Sequence, residues 1–327
     1  MSTLITGGAG FIGSHTAKLL FKSGLDVVVL DNLATGRRKI ERWGTFIQGG
    51  ISDGSLVREI IRGHGVTAVL HLAASARVGD SMAHPEAYFS NNVGGSLALL
   101  EAVVSEGVRR FVFASSSSVY GNAASAHLRE DEAVYPVSPY GESKLLIERA
   151  LPWYERAYGL GWMALRYFNA AGAEDDLGEE PEDSIRIIPR TVHAAIGGGP
   201  PIEVFGTTYP TNDGSAVRDY VNVSDVARAN LLALRYVDQG RPGAVVNIGT
   251  GVGVSVLQIL ELVGKQTGRP VPSRLNLARA GDPAHVIADI SVARALLGWT
   301  PEASDLATIV VSVLRSGHVR MEINTTI

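Results

Sequence analysis

Two side chains with complementary chemistry stand four residues apart, Tyr140 and Lys144, in Ser138-Pro139-Tyr140-Gly141-Glu142-Ser143-Lys144. From Glu142 onward the residues are good helix formers and predict a helix. Positions i and i+4 share one helix face, so the phenol and the ammonium can serve a single ligand. A free tyrosine titrates near pH ~10, so forming a phenolate at neutral pH costs about 4 kcal/mol. A neighbouring ammonium offsets that cost by favouring the charged phenol. The chemistry on offer is removal of a hydroxyl proton. A surface Tyr and Lys with no shared task is the alternative, and the spacing alone leaves both open.

A second group of hydroxyls lies upstream. Phe111-Val112-Phe113 runs into Ala114-Ser115-Ser116-Ser117-Ser118-Val119-Tyr120-Gly121. A serine run is ordinarily a polar loop, but this one follows a predicted buried strand at its carboxyl end, where open α/β sheets bind ligands. A hydroxyl there can hold the oxygen whose proton the tyrosine removes. The run contains no histidine or acid, so a Ser-His-Asp triad has no support.

The elements that must position these groups alternate along the first half. Leu4-Ile5, Val27 to Leu30, Ala68 to Leu72 and Phe111 to Phe113 are short apolar runs that read as strands. Between them Phe11 to Lys22, Ser55 to Arg62 and Pro85 to Ser105 are long enough for helices, and Gly24 marks the first helix end before Asp26 opens a strand. Such alternation predicts an α/β fold with a doubly wound parallel sheet covered on both faces. After the Tyr140 helix comes another apolar run, Trp162 to Tyr167. Beyond about Asn169 the character changes: Ala173 to Asp183 reads as an acidic loop and Gly197-Gly198-Gly199-Pro200-Pro201 as a breaker. Asp225 to Tyr236 reads as a helix and Val245 to Ile248 as a strand, a pair that can rejoin the first sheet. Residues 317–327 receive no assignment.

Thr6-Gly7-Gly8-Ala9-Gly10-Phe11-Ile12-Gly13 spaces glycines as Gly-x-x-Gly-x-x-Gly between a strand and a helix. This is the Rossmann requirement: a tight turn, a backbone that approaches a pyrophosphate, and a helix N-terminus aimed at its charge. Asp31 closes the next strand, where a carboxylate binds both ribose hydroxyls of NAD and repels the 2′-phosphate of NADP. NAD is the expected cofactor. His71-Leu72-Ala73-Ala74 ends the fourth strand on the same edge, with His71 read as a hydrogen-bonded histidine rather than an acid or base. No histidine pair has ligand spacing, so no metal is expected.

Composition narrows the rest. The chain has 327 residues, 46% apolar and 19% charged, enough for one large α/β domain with an appended lobe. A net charge of −4 gives no general attraction to nucleic acid or anionic membrane. The absence of cysteine excludes disulfides, thiolate metal sites and cysteine nucleophiles. No leader pattern opens the chain and no apolar run approaches the roughly 20 residues of a membrane span. The expectation is a soluble cytoplasmic protein.

Together these features resemble the UDP-glucose 4-epimerase (UDP-galactose 4-epimerase) family of the extended short-chain dehydrogenase/reductase superfamily. The resemblance runs from Gly7 to about Trp299. Its most specific parts are Arg166-Tyr167-Phe168-Asn169-Ala170-Ala171-Gly172-Ala173, Phe205 to Gly214 with Val217 to Val221, and Arg279-Ala280-Gly281-Asp282-Pro283. It implies a catalytic set of Ser116, Tyr140 and Lys144. Around NAD it implies Gly7, Gly10, Phe11, Ile12, Gly13, Asp31, Asn32 and Ile51, then Leu72, Ala73, Ala74, Asn91 and Phe168, with Tyr140 and Lys144. For a UDP-hexose it implies Asn169, Arg218 and Arg279 at the pyrophosphate, Arg186 and Ile187 near it, Phe205 at the uracil end and Asp282 at the uridine ribose. Val286 matches the position bordering the sugar C2 substituent.

Two departures stand out: Gly50 takes the place of an aspartate that contacts adenine, and Arg186 that of an asparagine or histidine. Arg218 has an alternative reading as the ion-pair partner of Asp219. The resemblance also implies a Rossmann domain over 1–170 with later contributions from about 219–250, a mainly nucleotide-sugar-binding lobe over 171–327, and a homodimer through helices near 85–105 and 140–157. Rival readings are another UDP-sugar enzyme of this superfamily and a non-catalytic NAD sensor. Dehydratases of similar fold need an Asp-Glu pair after the serine, where this chain has Ser117-Ser118, and a sensor has no need of Tyr140 and Lys144.

Overall fold

The unbroken apolar run Val27 to Leu30 is buried along its whole length, as a strand with helices on both faces requires. The computed structural model describes residues 1–123, 125, 127–179, 184–278 and 282–316. Its strands begin with β1 (Ser2–Thr6), β2 (Asp26–Asp31), β3 (Thr45–Gln48), β4 (Val66–His71) and β5 (Arg110–Ser116). There follow β6 (His127–Leu128), β7 (Gly161–Tyr167), β8 (Asn169–Ala171), β9 (Ile202–Phe205) and β10 (Val217–Asn222). The last are β11 (Ala244–Ile248), β12 (Gly253–Ser255), β13 (Ser273–Asn276) and β14 (His285–Ala288).

Among the described residues, seven strands form one parallel sheet in the order β11-β7-β5-β4-β1-β2-β3. From β1 the chain winds outward to β3, then returns to lay β4, β5, β7 and β11 on the other side. This is the doubly wound Rossmann arrangement expected from the sequence, and its switch point lies between β1 and β4. Helices Phe11–Lys22 and Val223–Asp238 cover one face, burying Ala17, Leu20, Val226 and Leu234. Helices Gly54–His64, Gly95–Ser105 and Pro139–Tyr158 cover the other with Val57, Ile61, Leu99, Val103, Ile147 and Leu151. A smaller sheet runs β12-β10-β14-β6 with β8 beside β10, and β9 pairs with β13.

Two expectations are corrected. The Tyr140 helix starts at Pro139, not Glu142: proline fits the first helical position, and Ser138 caps the turn by accepting from Gly141 N at 3.1 Å. Glycine is needed at 141 because a Cβ there would lie 2.6 Å from the Ser118 carbonyl oxygen. Residues 85–105 are not one regular helix, since a π-turn over Phe89–Gly94 separates Pro85–Tyr88 from Gly95–Ser105. The wide turn lets Asn92 point inward to Ser75 and Ser143. The expected loop is irregular over 173–179 apart from a bridge between Glu174 and Leu177, and 180–183 and 317–327 lie outside the described residues.

Candidate active site

The turn after β1 is built from backbone. Gly7 has φ +70°, and a Cβ on it would meet the Ala73 backbone at 2.6 Å. At Gly13 a Cβ would lie 2.1 Å from the Gly7 carbonyl oxygen. Gly10 sits at the N-cap of Phe11–Lys22 and no side chain caps that helix. The first-turn N–H groups of Phe11, Ile12 and Gly13 are therefore available to an anion such as a pyrophosphate, whereas Ser14 N already donates to Gly10 O at 2.9 Å. Asp31 ends β2 buried beside this turn: Oδ2 accepts from Ala9 N at 3.0 Å and Oδ1 from Leu33 N at 2.8 Å. Asn32 opens the following turn by accepting from Ala34 N at 3.0 Å.

Across the switch point, Leu72 N donates to Thr6 O at 3.0 Å, which places Leu72, Ala73 and Ala74 against the glycine turn. Ile51 is buried under the same edge. Asn91 donates to Ser75 Oγ at 3.1 Å, tying the π-turn to the segment that follows β4. Phe168 is buried at the end of β7, with its N–H on Ile248 O at 3.0 Å. The donor and carboxylate pattern of this pocket fits a dinucleotide with free ribose hydroxyls.

Ser116 ends β5 and Tyr140 opens the facing helix; Ser116 Oγ donates to Ser118 Oγ at 3.1 Å and accepts from Ser118 N at 3.1 Å. Burial pushes the Tyr140 phenol up; the hydroxyl of Ser116 and the charge of Arg186 pull it back, while Tyr88 adds to the rise. Lys144 is buried with Nζ on Ala114 O at 2.8 Å, 5.9 Å from the centre of the Tyr140 ring. Burial brings its ammonium down to about 7, against the opposing charge of Glu148. His71 is no acid or base here. Burial, and then the Lys144 charge, hold it at about 3, and its ring nitrogens lie 2.7 Å from Thr6 Oγ1 and 2.7 Å from Ser96 Oγ.

The residues expected around a nucleotide sugar come from distant parts of the chain. Asn169 on β8 donates to Asp219 O at 3.2 Å. Arg218 on β10 pairs with the Asp282 carboxylate and donates to Val217 O at 2.8 Å and Pro283 O at 2.9 Å. Val286 on β14 stands opposite Arg218 in register. These four form one strip. The Arg218–Asp219 pair does not form, because adjacent strand residues face opposite ways. Asp219 accepts instead from Thr250 N at 2.7 Å, Gly251 N at 2.9 Å and Ala288 N at 3.1 Å.

Arg186 bonds the Glu179 carboxylate and stacks on the Phe11 ring at 4.4 Å, at the head of the glycine-turn helix. Ile187 begins helix Ile187–Ala195 beside it. Phe205 ends β9, in the separate two-stranded sheet. Arg279 lies outside the described residues. Sequence reasoning missed Asn92 and Ser143: Ser143 donates to Tyr140 O at 2.7 Å and accepts from Asn92 Nδ2 at 3.0 Å, holding the tyrosine turn. Neither had a distinguishing signal, since Asn92 follows Ser90 and Asn91 and Ser143 lies between Glu142 and Lys144.

Residues 3–249 match the NAD dependent epimerase/dehydratase family. The chain belongs to that family. Within it, the UDP-glucose 4-epimerase of Lacticaseibacillus casei is 42% identical over 313 residues, covering 95% of each chain. The solved UDP-glucose 4-epimerase of Brucella ovis, in complex with NAD, superposes with a TM-score of 0.93 at 43% identity, over 97% of this chain and 98% of that one. The enzyme from Stenotrophomonas maltophila, with bound NAD and formylated UDP-arabinopyranose, gives a TM-score of 0.93 at 38% identity, over 97% of both chains. Epimerase/dehydratase membership therefore holds across the whole fold, beyond the glycine turn alone.

Proposed function

We propose that this chain catalyses the NAD-dependent 4-epimerisation of a UDP-hexose, interconverting UDP-glucose and UDP-galactose through a transient 4-keto sugar. The observation that carries the reading is the convergence of Ser116, Tyr140 and Lys144 at the carboxyl edge of the sheet, beside the glycine turn. Bound NAD supplies the hydride acceptor at sugar C4 and the donor for its return to the other face, with no net redox change. Tyr140 takes the proton of the 4-hydroxyl and later gives it back. Ser116 holds the same oxygen. Lys144 keeps the phenol poised by its charge.

Gly7, Gly10 and Gly13 let the cofactor pyrophosphate approach, and Asp31 takes the adenosine ribose. Asn169, Arg218 and Arg279 hold the UDP phosphates, Asp282 the uridine ribose and Phe205 the uracil, with Arg186 and Ile187 alongside. Binding through UDP leaves the hexose free to turn between the two hydride transfers. Residues 1–170 with about 219–250 serve the cofactor, and 171–327 mainly the nucleotide sugar. Phe89, Leu97, Leu146 and Trp153 are exposed on the two helical stretches expected to pair, which supports a homodimer through them. Among the described residues no helix is long and apolar enough to cross a membrane, and a cytoplasmic setting is part of the proposal.

The test is to incubate the purified protein with a panel of UDP-hexoses without added NAD and assay 4-epimers. Formation of UDP-galactose from UDP-glucose is expected, with Tyr140→Phe slower by about 10²–10⁴-fold. Turnover near wild type in Tyr140→Phe rejects the mechanism.

A further inference from the structure

Glu148 lies one turn beyond Lys144 on the same face of helix Pro139–Tyr158 and is 5% exposed. Its carboxylate meets two strands. Ser115 Oγ, at the end of β5, donates to it, and Arg166 on β7 grips it twice, Nε to Oε1 at 3.0 Å and Nη2 to Oε2 at 2.7 Å. Arg166 is itself 4% exposed, and its guanidinium lies 4.8 Å over the Tyr120 ring. Tyr120 OH in turn donates to Asn247 Oδ1 at 2.7 Å, and Glu130 accepts from Asn247 N at 2.7 Å.

A buried ion pair contributes little net stability, and well-packed apolar residues of similar volume often do as well or better. Stability alone therefore does not account for this pair. Its location does: β5 delivers Ser116, the helix delivers Tyr140 and Lys144, and the Ser115–Glu148 bond ties the two elements one turn beyond the Lys144–Ala114 bond. The charged or titratable groups around Lys144 are Tyr140 and Glu148 on its own helix, His71 on β4 and Arg166 on β7. Glu130 and Tyr120 lie behind Arg166, and Arg186 acts on Tyr140 from the loop side. Of these, Glu148 is the anion whose charge acts on Lys144.

We propose that Glu148 and Arg166 are positioning residues for the reaction, locking the Tyr140–Lys144 face onto the end of β5, with Glu148 as the anionic neighbour that keeps Lys144 an ammonium. The inference rests on the epimerase reading for its effect on turnover, but Lys144 titration is measurable apart from activity. Burial alone drives Lys144 down, and Glu148 opposes that fall. Removing an anion lowers the pKa of a nearby ammonium, while removing the cation that dilutes that anion raises it.

The experiment follows the Lys144 Cε resonance by carbon NMR in the NAD-loaded protein. Lys18, Lys22, Lys39, Lys144 and Lys265 are all the lysines of the chain, and Lys144→Arg assigns the signal. Glu148→Gln/Arg166→Met removes both charges without leaving one unpaired. Its Lys144 midpoint should fall by about one pH unit. The alkaline limb of the kcat profile should fall with it, lowering alkaline turnover about tenfold with KM for the UDP-hexose little changed. Arg166→Met alone should move midpoint and limb the other way. Ser115→Ala, which keeps both charges, should leave the midpoint in place. A wild-type midpoint in the folded double variant overturns the proposal, as does movement in the same direction in both charge variants. If Arg166→Met does not fold, the double variant decides alone. Failure of the wild type to epimerise any UDP-hexose would sink the functional reading and leave the titration result standing.

Discussion

The glycine turn and the β8–β10–β14 strip, the two regions proposed above to hold cofactor and nucleotide sugar, are built by opposite means. At the turn the contacts are backbone: Gly7 and Gly13 leave no room for a Cβ, and the helix N-terminus carries no side-chain cap. In the strip they are side chains, Asn169, Arg218 and Asp282, brought together from three distant segments. A backbone site is short in sequence and rigid, so substitutions there act through shape. A side-chain site is assembled by the fold and tolerates change in graded steps, losing one charge or one hydrogen bond at a time.

Substitutions at the two regions should therefore fail differently. Gly13→Ala forces a Cβ onto the Gly7 carbonyl oxygen, a contact with backbone that cannot yield. NAD binding should weaken by about 100-fold, since overpacking costs up to ~3 kcal/mol. Calorimetric titration with NAD checks it, and tight binding in the variant would show that the turn is more plastic than its contacts imply. Arg218→Ala should act on the other ligand alone: KM for UDP-glucose rises by about 10–100-fold, as for loss of a hydrogen bond to a charged group, with NAD content unchanged. A matching loss of NAD would erase the distinction between the regions.

Two smaller effects sharpen it. Val286, beside Arg218, is far smaller than tyrosine, so an acetamido group at sugar C2 meets weak steric exclusion. UDP-N-acetylglucosamine should be epimerised within about tenfold of the UDP-glucose efficiency, and Val286→Tyr should suppress only the N-acetyl reaction. Comparing kcat/KM for both sugars in both proteins settles this, and no N-acetyl turnover in the wild type rejects it. At the cofactor end, a Cβ on Gly50 would meet nothing closer than Ser52 Oγ at 3.6 Å. Gly50→Asp should thus be accommodated and tighten NAD binding about fivefold, the scale of ~1 kcal/mol for one hydrogen bond. Unchanged affinity would mean the side chain finds no partner on the cofactor.

The same contrast governs what could be read in advance. The sheet, the first helix and the glycine turn were legible because their signals are local: continuous apolar runs, Gly24 at a helix end and Asp31 at a strand end. Tyr140 and Lys144 were legible for the same reason, although the helix start was displaced because Pro139 serves as its first residue rather than its barrier. The strip had no local signal. Residues 169, 218, 282 and 286 meet only through pairing of β8, β10 and β14, and family resemblance was what drew them together. Arg218 shows the limit: its neighbour Asp219 is adjacent in sequence yet faces away, and its partner Asp282 could not be found by spacing. The π-turn escaped for another reason, since Asn91 and Asn92 fit a helical pattern as well as a widened one.

The position of β11 has a consequence for how the molecule comes into being. It completes the main sheet beside β7 as the outermost strand, yet it reaches that place only after β8, β9 and β10 have been laid down elsewhere. During synthesis the hydrogen-bonding edge of β7 stays open until residues 244–248 arrive, and such long-range parallel pairing is slow. An open edge recruits other chains. The interval between β7 and β11 is thus a window in which a nascent chain is open to intermolecular pairing, and fusions or insertions that lengthen it should yield less soluble protein.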